Sequence, residues 1–109
     1  MSAPTPADRF WRVAETLLER PGVTRGTMMG FPCLRFDGDF FASWDPHRQA
    51  LVAKLDARAV TAMIDAGRAE PFAPSGRPFR EWASVPADRS RTWRRVLEQA
   101  FDAALRRAG

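Results

Sequence analysis

Pro32-Cys33-Leu34-Arg35-Phe36-Asp37-Gly38-Asp39-Phe40-Phe41-Ala42-Ser43-Trp44-Asp45 is the stretch on which the fold turns. Two runs rich in apolar and aromatic residues flank Asp37-Gly38, a dipeptide that tolerates left-handed backbone, so the pair predicts a β-hairpin. Its arms read as Pro32 to Phe36 and Asp39 to Asp45. Upstream, Val23 to Met29 reads as another short strand. Downstream, Asp45-Pro46-His47-Arg48 reads as a second turn into Ala50-Leu51-Val52-Ala53-Lys54-Leu55, a compact apolar strand with one charge. The four runs predict an antiparallel meander.

Helical patterns bracket it. Thr5 reads as an N-cap, Pro6 as the first helical residue and Asp8 as the carboxylate of a capping box. Phe10, Val13, Ala14, Leu17 and Leu18 then recur at helical spacing until Pro21-Gly22 stops them. After the meander, Asp56 caps a second helix that buries Val60, Met63 and Ile64 and stops at Gly67. Residues 68 to 78 hold three prolines and Gly76 and read as a loop, with a last strand expected over Phe79 to Val85. Trp93, Val96, Leu97, Ala100, Phe101, Ala104, Leu105 and Ala108 share one arc of a long closing helix, for which Asp88 or Ser90 offers a cap. The expectation is the α+β class: one domain over 1–109, with 1–5 as an N-terminal extension. An antiparallel sheet of about five strands has helices packed on it, in the order α-β-β-β-β-α-β-α.

The chain has 109 residues, 45% of them hydrophobic, with four Trp and eight Phe, enough for a single core and too short for two lobes with a cleft between them. The 17 basic residues outnumber the 13 acidic ones, and all the basic residues but Lys54 are Arg. A pI near 10.9 reflects the absence of Tyr and the single Lys; the net charge of +4 is the usable quantity. One cysteine, Cys33, excludes an internal disulfide and a CxxC motif, which points to the cytoplasm. Neither a signal peptide nor a membrane span is expected from the sequence.

Residues 89 to 109 carry six Arg against Glu98 and Asp102, so the excess charge sits on the last helix. Arg91, Arg94, Arg95 and Arg106, helped by Arg77 and Arg80 in the Pro/Gly-rich loop, form a candidate surface for phosphates. The competing account is a solvated face on which Arg94 pairs with Glu98 and Asp102 with Arg106 at four-residue spacing. Phe40 and Phe41, adjacent on a strand, must point to opposite faces, and Trp44 shares the parity of Phe40. Phe41 and Trp44 are the candidate anchors for a protein partner or a second copy on an aromatic sheet face. Cys33 and the lone His47 do not form a convergent nucleophile and base, and no metal or cofactor is expected. Asp37, Asp39 and Asp45 read as turn residues.

Met28-Met29-Gly30-Phe31-Pro32, Asp37-Gly38-Asp39-Phe40-Phe41-Ala42 and Leu51-Val52-Ala53-Lys54-Leu55 together resemble the amino-terminal domain of the TfoX/Sxy competence-regulator family. Gly67-Arg68, Pro71-Phe72 and Gly76-Arg77-Pro78-Phe79-Arg80-Glu81-Trp82 extend the likeness to small free-standing TfoX-type proteins, and the MmcQ/YjbR group shares the general order. The resemblance spans residues 10 to 105. Met29 and Phe31 stand where the family more often has Phe and Gly, and the second domain of full-length competence regulators has no counterpart here. The likeness implies an α+β fold, no catalytic residues, and a regulatory or DNA-linked role. The expected function is therefore a non-enzymatic cytoplasmic domain that binds nucleic acid or a transcription component, the alternative being a protein-interaction module or homodimer.

Overall fold

The computed structural model describes residues 2–109. Helix α1 (Pro6–Leu18) begins at a complete capping box: Asp8 N donates to Thr5 Oγ1 at 3.1 Å, and Thr5 N donates to the Asp8 carboxylate at 3.0 Å. The Thr5 backbone N–H and the neighbouring Thr5 hydroxyl hold the Asp8 carboxyl below its ordinary pKa. Strands β1 (Val23–Met28), β2 (Phe31–Phe36), β3 (Asp39–Asp45) and β4 (Ala50–Lys54) form the meander. Its first two turns place paired residues in left-handed backbone, Met29-Gly30 at φ 54° and 80° and Asp37-Gly38 at φ 49° and 86°. Asp45, fully buried at the third turn, accepts from His47 N, Arg48 N and the Arg48 guanidinium.

Helix α2 (Ala57–Asp65) is capped by Asp56, whose carboxylate accepts from Ala59 N at 2.8 Å. The chain then adds β5 (Glu70–Pro71), β6 (Trp82–Pro86), a 3-10 segment over Ala87–Thr92 and helix α3 (Trp93–Ala108). All six strands pair antiparallel in the order β1-β2-β3-β4-β6-β5, which establishes the α+β class.

Three boundaries differ from the sequence expectation. The two-residue β5 pairs with β6 at the sheet edge, where Pro71 is tolerated. The last strand begins at Trp82 rather than Phe79, because Phe79 N donates to Phe72 O and Trp82 N to Phe79 O, closing a turn first. Neither Asp88 nor Ser90 caps α3. The indole N–H of buried Trp93 donates to Val85 O at 3.0 Å, and Arg89 leaves helical geometry at φ −113°, so residues 87–92 wind separately. Ser90 Oγ instead accepts from Arg9 at 3.2 Å.

A β-bulge decides which side chains meet. Leu34 pairs with Ala42 but Arg35 pairs with Phe40, so Phe41 is an extra residue in β3. Phe41 and Ala42 consequently both face the helices, and strict alternation resumes one step out of phase. Trp44, on the parity of Phe40 by counting, thereby joins Phe41 in the helix-side core with Leu34, Leu51, Ala53, Val85, Phe10, Trp93 and Phe101. Phe41 packs edge-on to Phe101 at 5.8 Å, and Trp44 packs on Phe10 and Trp93 at 5.5 and 5.8 Å.

The other sheet face is also covered. Cys33, Ser43, Val52 and Ser84 lie in register across β2, β3, β4 and β6, all at 1% exposure or less. The segment between β5 and β6 closes over that side through Phe72, whose ring lies 6.5 Å from Phe31, 5.6 Å from Phe79 and 6.5 Å from Trp82. Phe72 is fully buried. Among the described residues no helix is long and apolar enough to cross a membrane.

Candidate nucleic-acid interface

The short run from Arg89 to Arg95 contains four arginines and no acidic residue. It spans the 3-10 segment and the first turn of α3, so Arg89, Arg91, Arg94 and Arg95 leave the backbone at successive angles over one end of the molecule. All four are exposed. None is within ion-pair distance of a carboxylate among the described residues. Arg9 of α1 joins them, its guanidinium donating to the Ser90 hydroxyl. Unneutralised guanidinium groups carried on helical backbone suit the fork geometry of phosphate oxygens.

The intrahelical pairs expected to neutralise this face do not form. Glu98 is taken by Arg20, just beyond α1, in a bidentate pair at 2.6 and 3.1 Å, and the Arg20 guanidinium also lies 5.0 Å from the centre of the Phe101 ring. That arrangement clasps α1 to α3 and leaves Arg94 free. Asp102 and Arg106 are likewise not within ion-pair distance of each other. Arg107 is consumed elsewhere, bonding Asp39 at 2.7 Å while Lys54 approaches the same carboxylate at 3.6 Å.

The six arginines singled out from the sequence thus divide among four places. Arg91, Arg94 and Arg95 cluster. Arg106 lies eleven residues beyond Arg95, about 16 Å along the helix axis, and lines a cleft between α2 and α3 together with Asp56, Asp102 and Arg68. Arg77 is exposed on the segment that covers the far sheet face, and Arg80 lines a groove beside α2. Arg9 and Arg89 were missed by sequence reasoning. Arg89 was legible as part of the arginine run, whereas Arg9 reaches the cluster only through the packing of α1.

Phe41 at 0% and Trp44 at 4% exposure are core residues and cannot anchor a partner. The bulge and the Phe72 cover together remove the bare aromatic face they were expected to form. Phe40 lies on the covered side of the sheet, half-buried with the Arg35 guanidinium 5.8 Å from its ring centre. Cys33 is fully buried and burial pushes its thiol pKa up, while His47 sits exposed in the β3–β4 turn against Phe31. Among the described residues no hydrogen bond joins Cys33 to His47, and no group of three or more His, Cys, Asp and Glu is placed to hold a metal ion. Comparisons with protein-family models, curated proteins and solved structures found no match to this chain.

Proposed function

We propose that this chain is a non-enzymatic cytoplasmic domain that binds nucleic acid through Arg9, Arg89, Arg91, Arg94 and Arg95. The observation that carries the reading is the run of exposed guanidinium groups with no carboxylate within ion-pair distance, which leaves their charge available to phosphate oxygens. The likeness of the chain to TfoX-type and YjbR-type domains supports a regulatory, DNA-linked role for the same surface. Arg77, Arg80 and Arg106 stand outside this surface and are not part of the proposal.

The test is fluorescence anisotropy of labelled duplex and single-stranded DNA between about 50 and 200 mM salt. Four to five phosphate contacts predict a slope of log affinity against log salt of roughly −3 to −4.5. The combined variant Arg91→Glu, Arg94→Glu, Arg95→Glu is expected to abolish binding with its melting transition retained, whereas Arg77→Glu leaves binding unchanged. Binding that survives the triple reversal, or no binding at low salt, overturns the proposal.

A further inference from the structure

A groove of about 730 Å³ runs between α2 and the segment leading into β6, away from the arginine cluster. Its size falls within the range of small-molecule sites. Its floor and walls are Val60 and Ile64 of α2 with Phe79 and Trp82 opposite, and Pro71 and Pro78 also line it. Proline φ is fixed, so those stretches of wall are stiff before any ligand arrives. The turn closed by Trp82 N donating to Phe79 O at 3.1 Å splays its side chains: Arg80 and Trp82 line this groove, while Glu81 lines a separate small cleft with Arg106 and Arg107. The local carboxylate is thereby kept out of the groove and the local cation kept in.

The charged residues of the groove are divided between its two ends. Leu55 N donates to Glu81 O at 2.9 Å, which sets residue 80 beside the start of α2. Arg58 and Arg80 therefore mark the same end, and neither is in an ion pair among the described residues. Asp65, two helical turns along α2 from Arg58, lines the other end. A second negative charge there would be repelled.

We propose that this groove binds a small planar aromatic carboxylate, with the ring system against Trp82 and Phe79 and the carboxylate between Arg58 and Arg80. Flat aromatic walls select a flat aromatic body. Two free guanidinium groups at one end select a carboxylate, which accepts from a guanidinium fork in bidentate fashion. The carboxylate at the far end restricts the ligand to a single negative charge.

Isothermal titration calorimetry with 2-naphthoate tests the assignment, with 2-naphthalenemethanol as its neutral isostere and 2-naphthylmethylammonium as the cation. The acid is expected to bind at least about tenfold more tightly than either analogue, and Arg58→Gln with Arg80→Gln to remove that preference. Thr61→Trp, which fills the groove from an exposed position on α2, is expected to abolish binding with the fold intact by thermal melting. Equal binding of acid and alcohol, retention of the preference in the double Gln variant, or no heat at millimolar ligand overturns the proposal. So does a concentration-dependent dimer that Thr61→Trp disrupts, which would make the groove an interface between copies of this chain.

Discussion

Cys33 shows how a single buried group reports on stability. Its thiol sits on the second face of the sheet with no exposure, and burial raises its pKa above the ordinary value near 9. A raised pKa in the folded state means the stabilisation is complete below the unfolded value and is lost as pH rises through the folded one. The protein should therefore lose stability as pH rises past the ordinary thiol value near 9, and Cys33→Ala should flatten that part of the profile in urea titrations followed by Trp fluorescence. The chain contains no Tyr to obscure the window. Alkylation of Cys33 should in turn proceed at the rate of opening rather than at the rate of a free thiol.

Elements fixed by local chemistry were readable from the sequence, and those fixed by one extra residue were not. The Thr5–Asp8 box, the Asp37-Gly38 turn and the Asp56 cap depend on residues within a few positions of each other and stand where their patterns predicted; the apolar arc of α3 is buried from Trp93 to Ala104, while Leu105 and Ala108 at its end are exposed. The bulge at Phe41 has no such marker, so counting by twos separated Phe41 from Trp44 when they share a face. Arg94 with Glu98 was a sound helical pair by spacing, but the guanidinium of Arg20 offers Glu98 a bidentate geometry and wins. The first turn carries a prediction of its own. Met29 holds φ 54° with 55% exposure, a left-handed position that suits Asn or Gly better than an unbranched apolar chain. Met29→Asn should raise stability by about 0.5–1 kcal/mol in denaturant melts, and a loss of stability would show that the Met29 side chain makes a contact worth more than the strain.

At the scale of the whole molecule the sheet is packed on both sides, by helices on one and by a largely irregular segment pinned by Phe72 on the other. Phe72→Ala should cost about 3–5 kcal/mol. Hydrogen exchange should distinguish the two sides: the Phe79 amide, bonded to Phe72 O, should lose more protection than the amides between β4 and β6. Uniform loss across the molecule would mean that the cover and the helix-side core unfold together.

The composition of the covered row gives that opening a further character. Detaching the cover would expose one thiol, two hydroxyls and a single valine across the centre of the sheet, since Cys33, Ser43, Val52 and Ser84 occupy those positions. Water can wet that central row, so the adhesive part of the opened face is confined to the rings around Phe72, namely Phe31, Phe79 and Trp82. A partly opened molecule would thus stick to its neighbours through that aromatic margin and not through the middle of the sheet.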